Sequence, residues 1–389
     1  MILALGALTA CEPPPVAPEG LRLTALSYDD LPGWTEDDPR PALAAFRRSC
    51  GVMLTRPPNG SNGPGAITVT AEDWRAACDA AAALAEDVSA DETRRYFQDM
   101  FRPFAALGPD GDQGLFTGYF EIEVRGARAR QDGFGVPIYK LPDDHVIADL
   151  GVFDPEMKGR ELVGRVENGR FVPYHTRGDI EGGALGDRGF EMLWIDDPVD
   201  VFMLHVQGSG RVVLPDGGVV RVGFAGHNGH DYASIGRALI ERGEISKEKA
   251  SWGGIRGWID ANSDKAASLF AENPRFIFFR FLDGIPPEAG PIGAQGVPLT
   301  PGRSLAVDRS FFPMGLPVWL DTNWPNDEAR PLRRLMVAQD AGGAIKGPVR
   351  GDFFWGYGAD ALAEAGKMRS RGRYFILIPL PAAARLPQS

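Results

Sequence analysis

The chain has 389 residues, enough for two ordinary domains or one large domain with an insertion. Its composition, 44% hydrophobic and 24% charged, is that of a globular protein, and 49 Gly with 32 Pro favour turn-rich β structure over a helical bundle. A net charge of −11 argues against nucleic acid as a partner but leaves an uncharged or zwitterionic glycan open, and no internal apolar run approaches the roughly 20 residues of a membrane span.

The first eleven residues form a short apolar stretch closed by Leu8-Thr9-Ala10-Cys11, the pattern of a bacterial lipobox, although the usual basic residues before it are missing. Lipidated Cys11 would become the mature N-terminus. A Glu-Pro-Pro-Pro run follows, and Pro/Gly-rich residues 12–38 read as a tether. Glu12, rather than Asp, directs the expectation to the outer membrane, with the body facing the periplasm and a lipid as the membrane contact. Residues 39–50 read as a helix. Thr70-Ala-Glu-Asp73 and Ser89-Ala-Asp-Glu92 are capping boxes that open two more, to about Asp87 and Phe101. Cys50 and Cys78 both fall on these helices, as a possible disulfide or as two buried thiols.

From Leu115 the pattern alternates as in a strand, and short strands with Gly, Asp and Asn turns are expected to about Val222. A helix ending at Gly243, two short helices stopped by Asn273-Pro274 and a buried strand at 276–282 follow. A Pro/Gly-rich connector fills 283–298. The last ninety residues read as strands, interrupted by one helix around 359–367.

The C-terminal region carries the candidate chemistry. Asp308, Asp340 and Asp352 each close or interrupt an apolar strand, where aspartate is unusual, so a shared polar site competes with simple turn capping. Gly342 and Gly343 allow a sharp turn or a close ligand approach. Phe353, Phe354 and Trp355 beside Asp352 could desolvate its carboxyl and keep it protonated, as a general acid requires. Other readings are weaker. His227 and His230 lack a convincing third metal ligand, and no cofactor is expected. Asp340-Ala-Gly has no second copy to form a protease dyad. Gly208-Ser-Gly210 has neither the ending of a phosphate loop nor the spacing of a nucleophile elbow.

The segment around Asp308, Asp340-Ala-Gly-Gly343-Ala-Ile-Lys346-Gly and Asp352 resembles the 3D domain of the membrane-bound lytic murein transglycosylase A family. Four further blocks resemble that family in order: Gly118-Tyr119-Phe120-Glu121, Gln207-Gly208-Ser209-Gly210, 224–236 and 273–279. The likeness covers roughly 115–380. It implies a double-psi β-barrel with N-terminal helices, built from 39–121 and 284–389 with the 3D segment at about 299–380. A β-rich domain, 122–283, would be inserted, with the glycan in the groove separating the two. The implied activity is cleavage of the β-1,4 bond between N-acetylmuramic acid and N-acetylglucosamine in peptidoglycan, leaving 1,6-anhydromuramyl ends. Asp352 would be the catalytic acid/base and Asp308 and Asp340 supporting groups. Gly118, Tyr119, Glu121, Gln207, Gly208, Ser209, Gly210, Gly342, Gly343 and Lys346 would meet the substrate. The chain departs from the family in a spacing of twelve positions from Asp340 to Asp352, one more than usual, and in carrying Glu121 where a small polar residue is expected. A hydrolytic glycosidase, or a glycan-binding lipoprotein without catalysis, are the competing functions.

Overall fold

The computed structural model describes residues 20–386 apart from 62–66, 158–159, 187 and 287. Cys11 lies outside the described residues. Strand β1 (Arg22–Ala25) pairs antiparallel with β2 (Phe101–Leu107). Residues 22–38 are therefore part of the folded body, not of the tether expected to reach residue 38. Burial is the reason: Leu31 and Trp34 are core residues, the Trp34 ring meets Trp319 edge-on at 5.1 Å, and Asp37 is held by Arg303 at 2.6 Å.

Three helices follow: α1 (Arg40–Met53), α2 (Ala71–Ala83) and α3 (Ala90–Met100). Both capping boxes form. Thr70 Oγ1 accepts from the Asp73 amide at 3.3 Å, and Ser89 Oγ from the Glu92 amide at 3.2 Å. Their apolar faces meet through Phe46, Trp74, Phe97 and Phe101, with Phe46 and Phe101 edge-on at 5.5 Å. Cys50 on α1 and Cys78 on α2 are joined by a disulfide with their Cα atoms 5.6 Å apart. Closing a loop 28 residues long is worth about 3–4 kcal/mol by the chain-entropy account.

The middle of the chain contains β3 (Gly114–Ala127), β4 (Val136–Tyr139), β5 (Val146–Asp149), β6 (Glu161–Glu167), β7 (Arg170–Pro173) and the single turn α4 (Arg177–Asp179). Then come β8 (Glu191–Ile195), α5 (Pro198–Gln207), β9 (Ser209–Val213) and β10 (Val219–His227). Helices α6 (Ile235–Glu241), α7 (Trp252–Ala261) and α8 (Ala266–Ala271) lead to β11 (Ile277–Phe281). Helix α5 corrects the expectation of strands throughout this stretch. Asp197 caps it by accepting from the Val199 amide, Pro198 occupies its first turn, and Gly208 ends it at φ 76°. The C-terminal region supplies β12 (Ser304–Val307), β13 (Pro317–Trp324), β14 (Asp327–Asp340), β15 (Arg350–Tyr357), α9 (Gly358–Ala365), β16 (Arg369–Pro379) and α10 (Leu380–Ala383).

The molecule is mainly β and divides into two units. Of the described residues, the first comprises those through Tyr119, Ile292–Gly356 and those from Ala363; the second comprises those within Phe120–Pro291 and Tyr357–Leu362. In the first, strands run in the order β1-β2-β16-β13-β14-β12-β15, and the first half of β3 pairs with β16 through Gly114–Thr117. All these pairs are antiparallel except β12 with β14. Trp319, Leu335, Phe353 and Leu377 pack with the three helices into one core. In the second unit the rest of β3 pairs parallel with β9, and β9, β10 and β11 continue antiparallel. Strands β4 and β8 pair antiparallel, and β5, β6 and β7 form a separate three-stranded sheet.

Candidate active site

Strand β12 sets the geometry, because it lies between β14 and β15. Ala306 is opposite Asp340 on the parallel side and opposite Asp352 on the antiparallel side. Two strand spacings separate the aspartate Cα atoms by roughly 10 Å, with one small residue between them. Of the three aspartates the register brings Asp340 and Asp352 to the two sides of Ala306, while Asp308 lies just beyond the end of β12.

Asp352 stands on β15 with Phe353 and Phe354 buried beside it, while Trp355 is half-buried. Desolvation raises its carboxyl above the ordinary carboxylate range, and the charge of Asp340 adds to that; Thr117 and Arg350 act in the opposite direction. Thr117 Oγ1 donates to Asp352 Oδ1 at 2.5 Å, and Arg350 Nη2 donates to the same Thr117 oxygen at 2.8 Å. Arg350 is itself fixed by the carbonyls of Leu115, at 3.2 Å, and Gly351.

Asp340 is bonded differently. Its Oδ1 accepts from the amides of Ala294 and Ala341, both at 2.9 Å, and its Oδ2 from the Tyr119 hydroxyl at 2.7 Å. Tyr119 packs against Phe354 at 5.2 Å. Burial, then the charge of Asp340, hold its phenol far above the usual range, so it is a neutral donor throughout ordinary pH. Asp308 follows β12 and fastens the turn that separates Asp340 from Asp352. Its Oδ2 accepts from the Gly347 amide at 2.8 Å, and its Oδ1 from the Ser310 amide and hydroxyl. Burial works to raise this carboxyl, but the bonds from Gly347 and Ser310 outweigh it, with Lys346 assisting, and it sits below its ordinary value. Gly347 has φ 119°, which only glycine adopts without strain.

The other expected residues divide between the units. Gly118 lies on β3 in the first unit, where a Cβ would stand 2.6 Å from Trp355 Nε1. Gly342 packs on Ile345, Gly343 faces open space, and Lys346 is exposed. Glu121 belongs to the second unit and is only 4% exposed. Arg221 Nη1 holds both of its oxygens at 2.9 Å, so its carboxylate is engaged inside that unit. Burial pushes that carboxyl up to about 7 against the pull of Arg221 and Arg211. Gln207, Gly208, Ser209 and Gly210 lie at the α5–β9 junction, where a Cβ on Gly210 would strike Leu204 and Ile122. Thr117 and Arg350 were not singled out from sequence. The available signal was their position, each two residues before a candidate and so on the same face of its strand.

His227 and His230 serve the local backbone. His227 Nδ1 accepts from the Gly229 amide at 2.9 Å, and His230 Nε2 bonds the Tyr174 carbonyl at 2.8 Å. Among the described residues no group of three His, Cys, Asp or Glu could hold a metal ion, and no helix is long and apolar enough to cross a membrane.

Two family domains match the chain: the MltA-specific insert domain over residues 115–280 and the 3D domain over 303–378. The chain is 35% identical over 279 residues to the membrane-bound lytic murein transglycosylase A of Escherichia coli, spanning 70% of this chain and 67% of that one. The chain belongs to the membrane-bound lytic murein transglycosylase A family. The crystal structure of MltA from Neisseria gonorrhoeae has a TM-score of 0.80 at 33% identity, over 94% of each chain. That of E. coli MltA with bound chitohexaose has a TM-score of 0.58 at 30% identity, over 79% of this chain and 83% of that one. Within this family the chain is an enzyme, a lytic transglycosylase.

Proposed function

We propose that this lytic transglycosylase cleaves the β-1,4 bond between N-acetylmuramic acid and N-acetylglucosamine in peptidoglycan strands, with Asp352 as its one acid/base. The protonated carboxyl donates to the leaving glycosidic oxygen. The resulting carboxylate then takes the proton of the sugar's own C6 hydroxyl as that oxygen bonds to C1 and closes the 1,6-anhydro ring. No water and no protein nucleophile enter the product.

The observation that carries this reading is the contrast between Asp352 and Asp340. Desolvation favours the protonated form of Asp352, and among the described residues the side-chain hydrogen bond it receives, from Thr117, goes to Oδ1. Asp340 has both oxygens engaged, by two amides and a phenol, and Asp308 is equally committed to Gly347 and Ser310. A hydrolytic glycosidase needs a second carboxylate free to activate water or to attack, and these two are bonded as supports. The bound chitohexaose of the E. coli relative supports a glycan substrate here. We assign Gly118, Tyr119, Gly342, Gly343 and Lys346 to substrate contact because they border the aspartates in sequence or structure. The assignment of Glu121 and of Gln207 through Gly210 rests on their motifs alone. We also read the first unit as a double-psi β-barrel interrupted by the second, a reading supported by the parallel pair β12–β14 set beside antiparallel strands. A lipid on Cys11 and placement in the outer membrane, facing the periplasm, complete the proposal.

Mass spectrometry of products from purified peptidoglycan tests the chemistry. Wild type should yield 1,6-anhydromuropeptides, ~18 mass units below hydrolysis products because no water is added. Asp352→Asn should keep the fold and lose at least ~10²–10⁴-fold in turnover. Products of full hydrolytic mass would establish the glycosidase instead, and an active Asp352→Asn would transfer the acid's role to another residue.

A further inference from the structure

The hydrogen-bond chain Arg350–Thr117–Asp352 has a direction that the chemistry of its members imposes. A guanidinium has only donors and keeps its proton at any pH a protein survives. Thr117 Oγ1 must therefore accept from Arg350 Nη2 at 2.8 Å. The guanidinium hydrogen turns the one hydrogen of the threonine hydroxyl away from itself, and the acceptor 2.5 Å away on the other side is Asp352 Oδ1. In this arrangement Oδ1 is the acceptor, and a proton on the carboxyl is directed to the other oxygen. The acid proton is left to Oδ2, the oxygen on which no side chain of the described residues donates.

We propose that Arg350 is a positioning residue that, through Thr117, confines the acid proton of Asp352 to Oδ2. This rests on the reading of Asp352 as the acid/base. Without the guanidinium the Thr117 hydroxyl could turn and accept from a protonated Oδ1. The proton would then sit in a hydrogen bond to the protein, facing away from the glycosidic oxygen. Arg350 suits the task because Leu115 and Gly351 carbonyls anchor it, so its direction does not depend on substrate. Among the described residues, the groups that face Asp352 are Thr117 and the neutral phenol of Tyr119 from β3, Arg350 from its own strand and the charge of Asp340 from the end of β14, while β12 sets Ala306 opposite it. The positive charge of Arg350 favours the carboxylate. Its removal therefore moves the loss of the acid form to higher pH even as turnover falls.

A double-mutant cycle with pH profiles tests this: kcat and KM on purified peptidoglycan for Arg350→Met, Arg350→Lys, Thr117→Val and Thr117→Val/Arg350→Met. Arg350→Met should lose roughly 10- to 100-fold in kcat, the scale of a misplaced catalytic group, with KM nearly unchanged and the basic limb shifted upward. Arg350→Lys, which keeps a donor, should recover part of the loss. In the Thr117→Val background Arg350→Met should cost little more. Losses that multiply independently, or an unshifted pH profile, would overturn the proposal and leave Arg350 a packing residue. Should Arg350→Met fail to fold, Arg350→Lys with and without Thr117→Val closes the same cycle. The Asp352→Asn control separates the two failures: if it stays active, the acid/base reading falls; if it is inactive while the cycle shows no coupling, only the role of Arg350 falls.

Discussion

Asp340 and Asp352 flank the same alanine, and what distinguishes them is how their oxygens are bonded. The charge of Asp340 helps to raise the carboxyl of Asp352 above its ordinary value. Asp340→Asn removes that charge but can still accept from the two amides and donate to the Tyr119 oxygen, so the local structure should hold. The sign follows directly. With one negative charge fewer nearby, ionisation of Asp352 becomes easier, its pKa falls, and the acid form is lost at lower pH. The basic limb of the kcat profile should move down, opposite to the shift expected for Arg350→Met, and turnover should fall less than in Asp352→Asn. Titrating kcat in both variants checks this; a limb that stays in place or moves up for Asp340→Asn would show that Asp340 exerts no field on the acid. At this scale the sequence was legible where chemistry was local. Three aspartates at strand ends and the glycines between them stand out in one short segment. Thr117 and Arg350 do not, because their partnership spans 233 residues of sequence and exists only once β3 lies beside β15.

Strand β3 shows what an element adds. Its alternation puts Thr117, Tyr119 and Glu121 on one face, yet the first two serve the site and the third is shut inside the second unit with Arg221. A buried pair of this kind is costly to break from one side. Arg221→Met should destabilise the protein by about 3–5 kcal/mol at pH 8, because Glu121 must either keep its charge without its main partner or take up a proton where the unfolded chain is ionised. The cost should shrink toward pH 5. In the variant the folded-state pKa of Glu121 lies further above its unfolded value, so the stability present at low pH is lost as pH rises through the folded pKa. Urea unfolding at the two pH values measures this, and an equal cost at both would mean that Glu121 is not the group left exposed to the change. Capping boxes at Thr70 and Ser89 were readable because the signal is complete within four residues. Helix α5 was not. Its sequence PVDVFMLHVQ is apolar on nearly every side, so neither the helical nor the strand period shows, and only Asp197-Pro198 before it and Gly208 after it mark the ends.

For the whole molecule, the sequence changes composition near 121 and along the connector 283–298, and the two units of the structure exchange the chain after Tyr119 and after Pro291. The return of Tyr357–Leu362 to the second unit was not visible, since a six-residue excursion carries no compositional signature. Nor was the entry of residues 22–38 into the body: their Pro, Gly and acidic content is that of a linker, and it takes the pairing of β1 with β2 and the burial of Trp34 to hold them. That correction shortens the spacer available between Cys11 and the first strand at Arg22 to ten residues at most, which bears on the anchor. A lipid on Cys11 would keep the enzyme close to the membrane surface, at most ~35 Å of extended chain from it, and would restrict it to the nearest glycan strands. Metabolic labelling with a fatty-acid analogue should tag the wild type, and Cys11→Ser should remain unlabelled and appear in the soluble fraction. Because Asp308, Asp340, Asp352 and Thr117 all lie beyond residue 114, the released variant should match wild type on purified, solubilised strands while degrading intact sacculi in cells less. An unlabelled wild type would remove the anchor and leave the chemistry of Asp352 untouched; equal cellular activity of anchored and released enzyme would show that reach does not limit it.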